Sequence, residues 1–328
     1  MGKILSLTAA VSADNDEIRG MIRDAGHELT IGPDFVGAPR SKAVSDQVRQ
    51  LVPGNHALVV GGVAISREVI NASPELRVIS RTGVGYDAVD FQAAAEHRIP
   101  VVIAVGSNHT TVAEYAFGLM ILLSRQMLVH HQTVVSGGWK REINFDLAGK
   151  TVGIAGLGRI GRALTDRALA FEMNVIGSEA FPDRAFVESR GIELIEIDDL
   201  CRHSDFISLH LPVTPETTRI INAERLALMK RSAFVVNTAR GGLIDENALY
   251  TALKDGQIAG AGLDVFAEEP PTGSPLLELP TVIFSPHAAG VSRESADRMG
   301  VQAVRSAIDV LSGSWPREIV VNGIYADA

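Results

Sequence analysis

A single cysteine, Cys201, occurs in the 328 residues. An intrachain disulfide framework is therefore excluded, and a reducing compartment is the natural setting. No run of Lys or Arg appears. With a net charge of −9 and a pI near 5.5, the chain carries no electrostatic footprint for nucleic acid. Long hydrophobic runs are also missing from the start, MGKILSLTAAVSADNDEIRG, which reads as a first strand and not as a signal peptide or membrane span. A soluble, cytoplasmic chain with no membrane partner is the expectation. No solenoid repeat or low-complexity linker is visible. His130 and His131 have no Cys, His or carboxylate set around them at ligand spacing, and His203 with Cys201 makes only a pair, so no metal is expected. What is present is enough apolar material for substantial cores, 46% of the residues with a mean hydropathy of +0.16. The length favours two domains.

Along the chain, short apolar strands alternate with loops and helical patterns: Ile4–Thr8, Ala57–Val60, Leu76–Ser80 and Val101–Ala104 in the first third. The strands are too uniformly apolar for a half-exposed antiparallel sheet, which predicts a parallel α/β domain. The segment between Pro33 and Pro53 reads as polar and turn-rich. From Asn108 to about His131, apolar residues recur at helical spacing over several turns, predicting one long helix that enters a second domain. Further strands follow at Asn174–Gly177, Phe206–Leu211, Ala233–Asn237, Gly260–Asp264 and Thr281–Phe284, and a helix is predicted over Ser295–Ser312.

The stretch TVGIAGLGRIG, Thr151 to Gly161, passes from an apolar strand through Gly156, Gly158 and Gly161 into a helix. That context is what a dinucleotide requires: Gly156 permits the turn, Gly158 lets the backbone approach a pyrophosphate, and Gly161 lets helix and sheet pack closely. The helix N-terminus offers unpaired N–H groups to phosphate. Arg159 and Ile160 lie between the glycines and join them as cofactor candidates. Glu179 follows the next strand, 18 residues past Gly161. Its carboxylate suits an adenosine ribose diol and repels a 2′-phosphate, favouring NAD over NADP. A solvated loop acid is the alternative, since Ser178 and Arg184 can adapt to phosphate.

A nicotinamide site needs a base for the substrate hydroxyl and a cation for its anionic group. Arg240, Glu269, His287 and Asp264 each follow a strand, where working residues of doubly wound sheets sit. Arg240 suits bidentate carboxylate binding, His287 can exchange a proton near neutral pH, and Glu269 can orient it. Sequence order alone leaves separate structural roles equally open. His210, at a strand end, can flank the cofactor or serve as a hydrogen-bonded structural histidine; Val112 and Thr238 complete the cofactor candidates. Cys201 reads as a small buried apolar residue and not as a nucleophile.

Several segments in order, SRTGVGYDAVD from Ser80, NHTTVAE from Asn108, GLGRIG, SLHLPVTPETTRIIN from Ser208, NTARGGLIDENAL from Asn237, GAGLDVFAEEP from Gly260 and SPHAAG from Ser285, carry a family resemblance. The chain resembles the D-isomer-specific 2-hydroxyacid dehydrogenases over nearly its whole length. The resemblance implies two Rossmann-like, doubly wound parallel-sheet α/β domains with a cleft between them. Residues 1–104 plus 297–328 would form the substrate domain, and 105–296 the NAD domain. It also implies a homodimer built around the NAD domains, which the long helix over 108–131 would suit. Arg240 would bind the substrate carboxylate and carbonyl, His287 would be the acid/base and Glu269 its carboxylate partner. Asp264 would bind the nicotinamide carboxamide, and the Val84-Gly85 backbone, with Arg81, would receive substrate. The implied reaction is NAD-dependent interconversion of D-2-hydroxyacids and 2-ketoacids by hydride transfer at C2.

Departures from relatives narrow the substrate. Glu269 stands where formate-oxidising relatives carry glutamine, and Val84 where phosphite oxidation needs lysine. D-3-phosphoglycerate is the alternative substrate. Arg81 matches one of its basic groups, but Gly61-Gly62-Val63 lacks the other, which Arg40, Lys42 or a partner subunit would have to supply. The regulatory domain of many serine-pathway enzymes is expected to be missing. A non-catalytic NADH-sensing corepressor is the reading from a different class; the Arg240, Glu269 and His287 set favours catalysis over it.

Overall fold

Strand after strand in this chain is apolar on both faces, and each pairing between its strands is parallel. A parallel sheet must be covered on both sides, which the alternating helices do. A computed structural model describes residues 1–35, 41–315 and 317–325; Arg40 lies outside them. The chain divides into one unit of Met1–Asn108 with Val291–Ala328 and a second of His109–Gly290.

The first unit runs β1 (Lys3–Leu7), α1 (Asp16–Asp24), β2 (Glu28–Ile31), α2 (Lys42–Leu51), β3 (Ala57–Val60), α3 (Arg67–Asn71), β4 (Val78–Arg81), α4 (Phe91–Glu96) and β5 (Val101–Ile103). The sheet order is β2-β1-β3-β4-β5. Alternation along β3 shows how it is covered: Leu58 and Val60 face the α2, α3 and α4 layer with Val48, Val69 and Ala93. Ala57 and Val59 face the other layer, with Ile18 and Ile22 of α1. The helix α2 corrects the turn-rich reading of this stretch. Ser41 caps it by accepting from the Val44 N–H, a contact worth about 1 kcal/mol. Val44, Val48 and Leu51, at helical spacing, form its apolar stripe, with Val48 buried.

The second unit begins with α5 (His109–Ser124) and α6 (Met127–Val135), where a single long helix was predicted. The chain bends by 61° between them. Gln126, at φ 46°, is in the left-handed region and ends the helical run. There follow β6 (Thr151–Ala155), α7 (Arg159–Ala170), β7 (Asn174–Ser178), α8 (Arg184–Arg190), β8 (Glu193–Leu194), α9 (Ile197–His203), β9 (Phe206–Leu209), α10 (Ala223–Leu228), β10 (Phe234–Asn237), α11 (Glu246–Lys254), β11 (Gly260–Leu263) and β12 (Val282–Phe284). The seven strands order as β12-β11-β10-β9-β6-β7-β8. Phe234 and Val236 of β10 face α5 and α7, while Val235 faces α9, α10 and α11. The sheet is therefore doubly wound, and its strand order reverses between β6 and β9, the place where such sheets bind ligands.

The last helix, α12 (Arg293–Leu311), belongs to the first unit. A capping box between Ser292 and Ser295 starts it. It joins the α1 layer through Ala303, Val304, Ala307 and Val310, and its Ala303 carbonyl accepts from Ser80 Oγ at 2.8 Å. Among the described residues, no single helix is long and apolar enough to cross a membrane, and no group of three or more His, Cys, Asp or Glu residues could hold a metal ion.

Candidate active site

At the reversal point of the second sheet, β6 turns into α7 through Gly156, at φ 98°. A Cβ there would stand 2.6 Å from the His210 carbonyl oxygen, so only glycine fits both the torsion and the space. At Gly161 a Cβ would meet the Gly156 carbonyl oxygen at 2.0 Å. Gly158 is the N-cap of α7 and supplies no side-chain cap, while the position of its missing Cβ opens onto empty space. The first amides of α7 are thus left for a ligand. Glu179 closes the far side of the turn. Its Oε2 accepts from the Leu157 N–H at 2.8 Å and its Oε1 from the Phe181 N–H at 3.0 Å, which fixes the carboxylate with acceptor capacity left over.

His210 follows β9 at the same point. Its Nε2 meets Ser208 Oγ at 2.9 Å, and its Nδ1 is buried without a partner among the described residues. Although the residue keeps some surface, its ring nitrogens are enclosed, and this burial pushes the pKa down to about 4. The ring is neutral at physiological pH. Next to it, Thr238 follows β10, and its buried Oγ1 also lacks a partner.

The loops after β10, β11 and β12 meet around Asp264 and Glu269. Asn237, fully buried, ties the Thr238–Arg240 turn by donating from Nδ2 to the Arg240 carbonyl and accepting at Oδ1 from the Ala239 N–H. A Cβ on Gly241 would lie 1.9 Å from the Phe266 backbone, so the glycine lets the Arg240 loop press against the segment leading to Glu269. Asp264 is the hub of the next loop. Its Oδ1 accepts from Ser285 Oγ at 2.6 Å and the Ala288 N–H at 2.8 Å, and its Oδ2 accepts from the Ala289 N–H at 2.9 Å. Its carbonyl takes the His287 N–H. These bonds hold His287 at φ 53°, a conformation unusual for a non-glycine residue.

Held this way, His287 Nδ1 lies 2.9 Å from Glu269 Oε2, and Glu269 Oε1 accepts from the Phe266 N–H at 3.1 Å. An ionised carboxylate can only accept, so Nδ1 carries the proton and Nε2 is left as the basic nitrogen. About half of the His287 side chain is exposed, at 48%. The sequence reading missed Asn237 and Ser285 as organising residues. Both stand inside quoted motifs, but a buried acceptor or donor is recognisable only once its partner is placed.

In the first unit, Arg81 at the end of β4 is 7% exposed and donates from Nε to the Gly85 carbonyl at 2.9 Å and from Nη1 to the Gly61 carbonyl. Val84 and Gly85 occupy the loop between this strand and α4, where Tyr86 stacks on Phe91.

The profile of the D-isomer specific 2-hydroxyacid dehydrogenase NAD-binding domain matches residues 117–289. The chain belongs to that family. Among related 2-hydroxyacid dehydrogenases, the D-3-phosphoglycerate dehydrogenase of Methanocaldococcus jannaschii is 44% identical over 80% of this chain and 51% of its own length. The glyoxylate reductase of Korarchaeum cryptofilum is 40% identical over 78% of this chain and 79% of its own. The chain thus spans about half the length of the phosphoglycerate dehydrogenases it matches. In three dimensions it is similar to the TT0316 protein of Thermus thermophilus, with a TM-score of 0.85 and 33% identity, covering 97% of this chain and all of the other.

The second unit carries the family's NAD-binding segment, and its residues fit the cofactor: an open glycine turn, an uncapped helix start, an anchored Glu179, and unpartnered buried atoms at His210 and Thr238. The remaining cofactor candidates are spread around this frame. Arg159 is exposed at the start of α7 and Ile160 half-buried, whereas Val112 is buried in α5. Cys201 is buried, which pushes its thiol up to about 11 and removes it as a nucleophile.

Proposed function

We propose that the chain is an NAD-dependent dehydrogenase that interconverts D-2-hydroxyacids and 2-ketoacids. The observation that carries this is the His287–Glu269 pair, with Nδ1 committed to the carboxylate and about half of the histidine side chain exposed. Bound NAD supplies the acceptor for the C2 hydride. His287 Nε2 takes the hydroxyl proton as the alcohol is oxidised and returns it to the carbonyl oxygen in reduction. Glu269 keeps the imidazole in one tautomer and stabilises its charged form. Arg240 holds the substrate carboxylate and polarises the carbonyl, while the backbone of Val84 and Gly85 receives the carboxylate in the first unit. Thr238, Asp264, His210 and Val112 line the cofactor, with Glu179 on its ribose. The unit Met1–Asn108 with Val291–Ala328 is the substrate-binding part.

The exposed apolar side chains of α6 support a homodimer through the NAD-binding units: none of its residues is buried, yet Val134 and Val135 are 57% and 65% exposed. Net charge −9 and the single cysteine support a cytoplasmic setting without nucleic-acid partners. D-3-phosphoglycerate is the second reading, favoured by the names of the relatives at 44% and 41% identity. The test is NADH oxidation with glyoxylate, hydroxypyruvate, pyruvate, bulkier 2-ketoacids and phosphohydroxypyruvate. Turnover on one or more is expected; tight NADH binding with turnover on none contradicts the reading.

A further inference from the structure

Gly83-Val84-Gly85 follows β4 as a loop with two glycines in three residues, a composition that leaves the backbone many conformations to lose when it orders. In the structure that freedom is removed from both ends: the Gly83 carbonyl accepts from the Ala104 N–H at 3.3 Å, and the Arg81 side chain takes the other end. Arg81, buried at the end of β4, reaches forward with Nε to the Gly85 carbonyl and sideways with Nη1 to the Gly61 carbonyl. Gly61 belongs to the loop after β3, the strand paired with β4, and Val60 is the direct partner of Arg81 across that ladder. The Thr82 N–H, donating to the Val60 carbonyl, joins the same two strand ends. Gly61 is itself hemmed in, since a Cβ there would meet Thr8 Oγ1 at 3.2 Å beside the end of β1. The ends of β3 and β4 are thereby tied to the loop. The amide N–H groups of Val84 and Gly85, in contrast, make no hydrogen bond to a described residue.

We propose that Arg81 is a positioning residue, whose guanidinium bridges the Gly61 and Gly85 carbonyls and so holds the Val84 and Gly85 amides ready for a substrate carboxylate. This rests on the dehydrogenase reading above and changes the part Arg81 plays in it. A planar guanidinium has N–H groups fixed in a fork and can serve two carbonyls at once; an ammonium has neither the reach nor the geometry. With the loop ordered in advance, substrate binding does not have to order it.

The experiment uses the full chain with Arg81→Ala and Arg81→Lys. For Arg81→Ala, KM for hydroxypyruvate should rise by about tenfold or more, with kcat within about threefold and NADH affinity unchanged. Tens of millimolar guanidinium chloride should restore KM. Arg81→Lys, which keeps the charge and fills most of the volume, should fold normally and still show the raised KM. The same factor is expected for hydroxypyruvate and phosphohydroxypyruvate, because Arg81 meets carbonyls of the protein. Hydrogen exchange of a peptide spanning residues 82–90, followed without substrate, should be at least about fivefold faster in either variant. It reads the loop even if the wild type turns over none of the 2-ketoacids, so a failure of the dehydrogenase reading is distinguishable. Unchanged exchange in both variants overturns the proposal, as does a loss confined to the phosphorylated substrate.

Discussion

His287, the proposed acid/base, shows how much of a residue's placement lies outside its own side chain. Its place depends on Asp264, which gathers the hydroxyl of Ser285 and the amides of Ala288 and Ala289, and on Glu269, which takes its Nδ1. Two other residues give predictions at this scale. His210 has a pKa of about 4 against an ordinary 6.5. As the pH falls, the unfolded chain takes up this proton first, so the residue's contribution to stability is complete above 6.5 and is lost between 6.5 and 4. The full loss is roughly 3 kcal/mol. Thermal melts across this window should fall less steeply for His210→Gln than for the wild type; parallel curves would contradict the neutral buried ring. Glu179→Ala should weaken NAD relative to NADP, measured by fluorescence titration of the two reduced cofactors, and an unaltered ratio would rule out its ribose role. The residue types and strand-end positions of Arg240, Glu269 and His287 were legible in the sequence. That Arg81 turns to two backbone carbonyls was not, because a motif carries no record of side-chain direction.

Among the elements, buried strands were the most readable, Ala57–Val60 to the residue, because four consecutive apolar residues running straight into Gly61-Gly62 have few other uses. Helices with mixed composition were harder. The α2 stripe of Val44, Val48 and Leu51 is diluted by polar neighbours, and its cap is a single serine. The break between α5 and α6 was hidden because apolar spacing continues across it, while the bend arises from one backbone torsion at Gln126. The same break leaves α6 with no buried residue although its sequence, MLVHHQTVV, is mostly apolar. If this helix lies in a subunit interface, Val134→Glu with Val135→Glu should convert a dimer of the 35.0 kDa chain into a monomer in sedimentation equilibrium, with circular dichroism preserved. A double variant that remains dimeric would place the interface elsewhere.

At the scale of the whole molecule, the chain contains two parallel-sheet units, each wound on both faces, and the candidate residues Arg240, Glu269 and His287 follow the C-terminal ends of strands. Strand order could not be read from the sequence, since pairing joins segments far apart in the chain: β6 pairs β9 with the whole of β7 to α9 between them. The parallel α/β class was legible because apolar strands and helices alternate, and the two doubly wound sheets were what the family resemblance implied. Substrate identity remains a matter of loops, and the central claim does not depend on it. That claim is that His287 carries the proton in hydride transfer at C2. Single-turnover NADH oxidation by His287→Ala, on the 2-ketoacid that the wild type reduces best, tests it directly. The account predicts a rate lower by roughly 100-fold or more with NADH affinity nearly intact; a rate within a few-fold of the wild type would contradict it.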